Sequence, residues 1–327
     1  MATIGKDIAH AAELLRKGQV VAIPTETVYG LAGNALNLAA VTEIFKAKQR
    51  PFFDPLIVHL SEWERAQLYV TFIGPLVSQL AQQFMPGPLT VLVEKKSIIP
   101  DLVTSGSKTV ALRVPNHPMA QELLCQLDFP LAAPSANLFS KISPTRPLHV
   151  KKQLGDRIPY ILDGGICRIG VESTIIAEED GRIVVYRPGG ISVELIAQAL
   201  NHTVEVVMAS KIASIFPGTL KHHYAPEKNM ELYASRQVLE KAIDSGVDKN
   251  VCIICFGNNR YKALSRYPIL NLSRAGSLDE AATNLFNTLH QAEALQTDSI
   301  LVEMVPNEGI GKAINDRLTR GARLFHT

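Results

Sequence analysis

Short apolar runs rich in valine and isoleucine recur along the whole chain, and longer stretches of helical character separate them. Strand patterns that alternate with helix patterns are typical of an α/β protein. The length of 327 residues exceeds the usual span of one hydrophobic core. The predicted fold is therefore α/β with two compact domains.

The helix limits follow from capping residues and the strand limits from β-branched runs. The predicted helices are Asp7 to Lys17 with Gly18 as its stop, Asn37 to Lys46, one behind a capping box of Ser61 and Glu64, Val193 to Leu200, and Ser277 to Glu293. The predicted strands are QVVAIP, LIVHL, TVLVE, TVALRV, PYIL, STIIA, RIVVY, TVEVVM, MELYA, VCIICFG, YPILNL and SILVEM.

One segment interrupts the alternation of predicted strands and helices. Residues 210–229 are rich in turn formers and have no amphipathic period, so they are predicted to link a first domain at 1–209 to a second at 230–327. In the second domain, strands that alternate with helices predict a parallel sheet.

The charge balance limits the class of partner. The chain carries 33 basic and 31 acidic side chains, a formal charge of +2, which disfavours tight binding to a phosphate backbone. The start of the chain lacks the continuous apolar run of a secretory signal, and no later stretch has the length of a membrane span. We expect a soluble, cytoplasmic protein with no stable nucleic-acid or membrane partner.

The cysteines predict no metal or redox site. Cys252 and Cys255 form C-x-x-C within a predicted buried strand, where their odd separation puts the two thiols on opposite faces. No second pair of ligands follows nearby to complete a zinc site. The pair is interpreted as part of the core.

Two stretches near the start of the chain are candidates for binding. PTETVYGLAG, residues 24–33, follows a predicted strand with hydroxyls and glycines, which suits either a small polar ligand or a plain turn. In KAKQRP, Lys46, Lys48 and Arg50 stand at the end of a helix. These cations either complement the helix dipole or clamp a triphosphate.

Two later stretches have the composition of binding loops. APSANLFSKISPT, residues 133–145, is rich in hydroxyls between prolines, and DGGICRIGVESTI, residues 163–175, is rich in glycine. Ordinary surface loops are the alternative for both. The chain contains no G-x-x-x-x-G-K-[ST] loop, no G-x-S-x-G elbow and no H-E-x-x-H helix, so any ATP site uses another scaffold.

Together, and in this order, the four stretches resemble the Sua5/YrdC/YwlC family of threonylcarbamoyl-AMP synthases. The resemblance extends to PGPLTVLVEK, TVALRVPNHP, RPGGIS and GIGKAINDRLTRGA, the last of which is similar to the extra domain of the longer Sua5 type. It implies a YrdC-like twisted open sheet with a large basic-lined cavity, a smaller Rossmann-like C-terminal domain, and a linker that lies across the cavity.

The resemblance also implies site residues. The K-x-R and S-x-N pairs of the family fall on Lys48, Arg50, Ser135 and Asn137, which would carry catalysis and contact ATP. Further ATP contacts are implied at Asp54, Thr109, Ser143, Arg187 and Tyr224. L-Threonine would meet Thr27, His59, Arg113, Ala133 and Ser173, with Arg113 as the partner of its carboxylate.

Two positions depart from the family pattern. Asp54 stands where the family usually has Asn, and it adds a negative charge that would recruit Mg²⁺ or change the affinity for ATP. Ser140 stands where the family often has Gly, which alters the expected geometry of its loop.

The resemblance implies that the chain joins L-threonine, bicarbonate or CO₂ and ATP into threonylcarbamoyl-AMP and pyrophosphate, with Mg²⁺, for the t⁶A37 modification of tRNA. The product would pass to a tRNA threonylcarbamoyltransferase. One alternative is an RNA-binding or ribosome-maturation factor, which the near-neutral charge disfavours. Another is a carbamoyl-adenylate-forming enzyme of the hydrogenase-maturation type, whose zinc-finger and acylphosphatase regions this chain lacks.

Overall fold

The computed structural model describes residues 1–201, 205–206, 224–246, 250–258 and 267–327. Residues 210–223 of the predicted linker lie outside this part, as does most of TVEVVM. Among the described residues, no helix is long and apolar enough to cross a membrane.

The first unit is built on one large mixed sheet. Its strands are β1 (Thr3–Gly5), β2 (Val21–Ile23), β3 (Gly30–Asn34), β4 (Ile57–His59), β5 (Leu89–Glu94), β6 (Thr109–Arg113), β7 (Leu131–Ala132), β8 (Tyr160–Leu162), β9 (Thr174–Glu179), β10 (Arg182–Arg187) and β11 (Glu205–Val206). In the described part of the chain, these eleven strands follow the order β1-β8-β2-β3-β7-β4-β6-β5-β9-β10-β11. Parallel and antiparallel pairs both occur in this sheet. Some neighbouring strands, such as β2 and β8 or β5 and β9, are far apart in the sequence.

Helices cover this sheet. They are α1 (Ile8–Arg16), α2 (Leu38–Lys48), a 3-10 helix (Trp63–Leu68), α3 (Pro75–Phe84), α4 (Asp101–Thr104), α5 (Pro118–Cys125), α6 (Pro147–Leu154) and α7 (Val193–Leu200). Asp7 and Asn37 cap α1 and α2 as predicted, each by accepting hydrogen bonds from main-chain amides of the first turn.

The predicted capping box is wrong. Glu62, and not Ser61, precedes the helix at this point, and no side chain caps it. The helix is also of the 3-10 type, which closes shorter turns than the α-helix that a capping box opens. Strand β3 was not predicted either, because its sequence, GLAGN, lacks the β-branched residues that mark strands.

The second unit contains β12 (Asn229–Tyr233), α8 (Arg236–Asp244), β13 (Val251–Cys255), β14 (Ile269–Asn271), α9 (Leu278–Ala294), β15 (Ser299–Glu303), α10 (Gly311–Gly321) and β16 (Leu324–His326). Its strand order is β14-β13-β15-β12-β16, and every recorded pair is parallel, as predicted. Cys252 and Cys255 belong to different apolar clusters, which confirms that they face opposite sides of the sheet.

The two units share apolar packing. Val28, Ile142 and Val171, which flank the candidate motifs of the first unit, belong to the same buried cluster as Phe286 and Ile314 of the second. At Gly170 the first unit comes so close to α9 that an added Cβ would lie 2.3 Å from the carbonyl oxygen of Ala282. A substantial part of the hydrophobic core therefore depends on both units.

Gly170→Ala and Gly181→Ala form a matched pair that tests this contact. Both glycines have a positive φ, of 78° and 74°, but a Cβ on Gly181 meets nothing within 4 Å. Gly181→Ala should therefore cost only about 1 to 2 kcal/mol of backbone strain. Gly170→Ala should cost a further amount of about 1 to 3 kcal/mol, because Ala282 and the new methyl group overlap.

Thermal unfolding followed by circular dichroism measures both variants. We expect a clearly lower midpoint for Gly170→Ala than for Gly181→Ala. Equal midpoints would show that the close approach to α9 does not contribute to stability.

Candidate active site

A cavity lies on one face of the large sheet. His59 and Arg113 stand at the ends of β4 and β6, which pair in parallel, so the two residues are direct neighbours. Strand β9 runs parallel to β5, which is antiparallel to β6, and the start of β9 therefore lies at the end of β6. This topology places Ser173 and, at the end of the antiparallel strand β10, Arg187 beside the same cavity.

Three arginine side chains line this cavity, Arg50, Arg113 and Arg187, and each is at most 6% exposed. Burial lowers the pKa of Arg50 and of Arg187, but the ordinary pKa of arginine is high enough to keep both charged. The predicted basic-lined cavity is therefore present, and it suits an anionic ligand.

Arg50 follows α2 and is held by the loop that comes after it. Its Nη2 lies 2.8 Å from Asp54 Oδ2, its Nε donates to the carbonyl of Asp54 at 3.0 Å, and Nη2 also donates to the carbonyl of Pro55. None of these bonds uses Nη1. The extra negative charge that the sequence showed at Asp54 is thus paired internally with Arg50.

Lys48 lies behind the cavity and does not line it. Its Nζ donates to the carbonyls of Ser135 and Asn137, at 2.5 and 2.6 Å, and the residue is 1% exposed. Burial and the charge of Arg50 lower its pKa well below the ordinary value. In this structure Lys48 holds the loop that carries the S-x-N pair.

Within that loop, Ser135 lines the cavity and pairs with Gly30 in an isolated bridge. Asn137 does not line it, because its Nδ2 donates to the carbonyls of Leu138 and Lys141. Asn137 therefore shapes the loop.

Arg113 has a buried carboxylate partner. Its Nη2 lies 2.8 Å from Glu26 Oε1, both side chains are at most 4% exposed, and Nε donates weakly to the carbonyl of Gly87 at 3.4 Å. Next to it, burial and then the charge of Arg113 lower the pKa of His59 to about 3, so this imidazole is neutral at physiological pH.

At the start of β9, hydroxyls and charges form one network. Arg187 donates from Nε and Nη2 to the carbonyl of Ser173, and the hydroxyl of Ser173 lies 2.7 Å from that of Thr90. Glu172 lines the cavity as well, and its Oε1 accepts a hydrogen bond from Ser143 at 2.7 Å. Ser143 itself does not line the cavity.

In PTETVYGLAG, the threonine residue that lines the cavity is not the one implied by the resemblance. Thr25 lines the cavity, whereas Thr27 is fully buried behind it, with its hydroxyl 2.8 Å from that of Thr25. Ala133 does line the cavity; its main-chain N–H is engaged with the carbonyl of Ile57, which leaves its own carbonyl for a ligand.

The structure does not bring Thr109 to this cavity. Thr109 begins β6 and Arg113 ends it, which puts about 13 Å between their backbones at about 3.3 Å per residue. Thr109 instead lines a second cavity on the same face of the sheet, with Leu92 and Tyr186. The implied ATP contact of Thr109 therefore does not fall in the cavity that the arginine side chains line.

Tyr224 reaches the cavity from the end of the predicted linker. It is 1% exposed, its φ is 68°, and its ring stacks on Phe286 of α9 at 5.6 Å. Ala225 donates its N–H to the carbonyl of Ser140, whose φ of 63° shows that this position does use the conformation that glycine favours.

No group of three or more His, Cys, Asp or Glu side chains within the described ranges could hold a metal ion. Asp54 and Glu172, two carboxylates close to the cavity, are engaged with Arg50 and Arg317.

Three charged residues of the site were not singled out from the sequence: Glu26, Glu172 and Arg317. All three lie within stretches quoted above, PTETVYGLAG, DGGICRIGVESTI and GIGKAINDRLTRGA. For Glu26 and Glu172, a lone acidic residue among small and apolar neighbours was the available signal. Nothing in the sequence shows which charges pair with each other.

Solved structures share this architecture. The crystal structure of P. abyssi Sua5 complexed with L-threonine matches with a TM-score of 0.89 and 34% identity, over 100% of this chain and 99% of that chain. E. coli YciO matches 58% of this chain and 96% of its own, with a TM-score of 0.52 and 24% identity, which shows the fold alone.

Curated relatives extend the match. The threonylcarbamoyl-AMP synthase of Pyrococcus abyssi is 36% identical over 96% of this chain and 94% of its own length, and that of Bacillus subtilis is 35% identical over 98% and 94%. The Sua5/YciO/YrdC family model, described as "Telomere recombination", matches residues 13–189, and the model described as "Threonylcarbamoyl-AMP synthase, C-terminal domain" matches residues 191–323. The chain therefore belongs to the Sua5/YciO/YrdC family of threonylcarbamoyl-AMP synthases, in the form that carries the Sua5 C-terminal domain.

Proposed function

We propose that this chain forms threonylcarbamoyl-AMP and pyrophosphate from L-threonine, bicarbonate or CO₂ and ATP. The observation that carries the proposal is the cavity in which Arg50, Arg113 and Arg187 converge beside hydroxyl groups. Such a lining suits anionic groups, namely the phosphates of a nucleotide and the carboxylate of an amino acid. Membership of the family supplies the identity of the reaction.

The reaction needs positioning more than covalent catalysis. The amine of threonine adds to CO₂ and gives a carbamate and a proton, or it reacts with bicarbonate and gives a carbamate and water. A carbamate oxygen then attacks the α-phosphorus of ATP, the bond to the bridging oxygen breaks, and pyrophosphate leaves. Fixed cations that neutralise the phosphoryl oxygens, and a site that excludes water from the carbamate, accelerate these steps.

The threonine half of the cavity is assigned to Arg113, with His59, Ser173 and the carbonyl of Ala133 around it. The Nη1 group of Arg113 takes part in neither of its internal bonds, so a substrate carboxylate can be bound beside Glu26. Neutral His59 adds no competing charge. Thr27 acts through Thr25, whose hydroxyl it contacts.

The nucleotide half is assigned to Arg50, Arg187 and Ser135, with Tyr224 at the cavity wall. Lys48 supports it from behind: an ammonium has three N–H donors, and two of them hold the loop carbonyls. Asn137 and Ser143 support the residues that line the cavity through hydrogen bonds, and Asp54 holds Arg50 in place through an ion pair. Mg²⁺ enters as the complex with ATP.

The division into a catalytic domain at 1–209, a linker at 210–229 and a C-terminal domain at 230–327 remains our proposal, with the linker across the cavity. Tyr224, at the cavity wall, supports this course of the linker. We further propose that the chain acts in the cytoplasm and passes its product to a tRNA threonylcarbamoyltransferase, because a mixed anhydride of this kind hydrolyses unless it is consumed.

The test is pyrophosphate release by the purified chain, with mass spectrometry of the product. We expect release only when L-threonine, bicarbonate and MgATP are all present. Release without threonine, or none at all, would contradict the proposal. Salt-dependent RNA binding by a chain without this activity would favour the RNA-binding alternative.

Arg50→Ala should lower kcat/KM by about 100-fold or more, because a fixed donor to the phosphates is lost. Lys46→Ala is the matched control. It removes a cation from the same helix end, but Lys46 is exposed and paired with Glu43. Normal activity of Arg50→Ala would refute the phosphate role, and an equal loss in Lys46→Ala would point to a general effect of charge.

Arg113→Ala should raise the KM for threonine about 10- to 100-fold, because a charge-assisted hydrogen bond contributes about 1.5 to 3 kcal/mol. The KM for ATP should change much less. Initial rates with each substrate varied in turn measure both constants. A threonine KM equal to that of the wild type would rule out the carboxylate role.

ATP binding should take up a proton at Lys48. Burial lowers the pKa of Lys48 in the free protein, and bound phosphates raise it. Between these two pKa values, binding protonates the amine, so the affinity for ATP falls as pH rises through that window; below it, Lys48 is charged in both states. Calorimetry in two buffers of different ionisation enthalpy counts the proton.

Lys48→Arg is the control, because a guanidinium stays charged throughout this range. It should bind ATP without taking up that proton. Equal uptake by the wild type and Lys48→Arg would assign the proton to another group.

A further inference from the structure

One arginine of the C-terminal unit ends in the wall of the catalytic cavity. Arg317 lies on α10 and is 1% exposed. Its Nε lies 2.8 Å from Oε2 of Glu172, and its Nη1 donates at 2.8 Å to the carbonyl of Pro188. These partners stand just before β9 and just after β10, at the sheet end where Ser173 and Arg187 meet the cavity.

Glu172 connects Arg317 to the cavity. Its carboxylate lines the cavity, with one oxygen engaged by Arg317 and the other accepting the hydroxyl of Ser143 at 2.7 Å. With both oxygens bonded in different directions, the carboxylate has one preferred orientation. The position of the Ser143 hydroxyl then depends on Glu172, and that of Glu172 on Arg317.

Other side chains of the C-terminal unit contact the same wall. His290 of α9 lies 3.2 Å from the carbonyl of Ser143 through its Nε2. Phe286 of α9 stacks on Tyr224, and the guanidinium carbon of Arg317 lies 5.4 Å from the centre of that ring. Helices α9 and α10 therefore approach the wall at several points.

We propose that Arg317 is a positioning residue of the reaction, which holds Glu172 and, through it, Ser143 in place, so that the C-terminal unit completes the active site. This inference rests on the proposed function, because it assigns a role within that same cavity.

The electrostatics of Glu172 agree with this role. Burial by itself raises the pKa of a carboxyl, but the charges of Arg317 and Arg187, with hydrogen bonds from Arg317 and Ser143, outweigh it and leave the pKa of Glu172 below its ordinary value. Other titratable groups that act on this cluster include Asp316, which pairs with Arg317, Tyr224, and Asp54, which interacts with Arg187.

Loss of the Arg317 charge would leave burial opposed mainly by Arg187. Glu172 would then keep its proton to a higher pH. A protonated carboxyl is a weaker acceptor, so the hydrogen bond from Ser143 would weaken and the orientation of Glu172 would be less fixed. The acid limb of activity should therefore move upward in pH.

Arg317→Met removes the charge and keeps a long apolar stem. We expect kcat for threonine-dependent pyrophosphate release to fall about 10-fold or more, with both KM values changed less than about threefold, because misplaced groups mainly slow the reaction step. The acid limb of the kcat profile should shift upward in pH. Arg317→Lys keeps the charge and should restore the acid limb.

Lys312→Met is the matched control. Lys312 lies on the same helix and also pairs with a carboxylate of the first unit, Glu194, at 2.6 Å, but both side chains are exposed at the surface. Its kcat and its pH profile should remain those of the wild type. Glu172→Gln should lower kcat and remove the acid limb, and adding Arg317→Met to it should cost little more, because both changes break one chain of contacts.

The outcomes separate the two proposals. A wild-type chain without threonine-dependent pyrophosphate release refutes the proposed function itself. An active wild type with a folded Arg317→Met of unchanged kcat and pH profile overturns the role of Arg317. Should circular dichroism show that Arg317→Met does not fold, Glu172→Gln decides: unchanged kcat and an unchanged acid limb in that variant overturn the inference.

Discussion

The site depends on the cost of burying charge. Moving a charged side chain out of water costs several kcal/mol unless a partner compensates, so a cavity lined by buried arginines requires internal partners for each of them. The chain supplies a carboxylate to Arg50 from Asp54 and one to Arg113 from Glu26, and Ser173 supplies a carbonyl and a hydroxyl to Arg187. The positive cavity exists because these pairs are built into it.

This arrangement also shapes how ligands bind. Anionic substrates approach guanidinium groups that are already oriented and partly neutralised, so less order has to be created on binding. The Nη1 groups of Arg50 and Arg113 remain outside the internal bonds. Asp54 belongs to this scheme: the added negative charge orients Arg50 rather than standing free near the phosphates.

The second unit also contributes to the pairing of buried charges at the site. Arg317 is itself a buried cation, and its partner Glu172 belongs to the other unit, so the ion pair ties the two units together at the cavity wall. Apolar packing of Val28, Ile142 and Val171 against the C-terminal core also holds the two units together. A change in the C-terminal unit can therefore reach the reacting groups through a few direct contacts.

The sequence by itself determined the α/β class, the caps at Asp7 and Asn37 and the parallel second sheet, because these follow from local periodicity and side-chain chemistry. The motifs that form the cavity were indicated by the resemblance to a known family. Only the tertiary structure decided that Lys48 and Asn137 do not line the cavity. It likewise decided that Thr25 lines the cavity in place of Thr27, and that Thr109 lines a different cavity. It also decided which charges pair. The physical reason is that these facts depend on strand order and on contacts between residues far apart in the chain, such as Arg317 and Glu172, which no local pattern records.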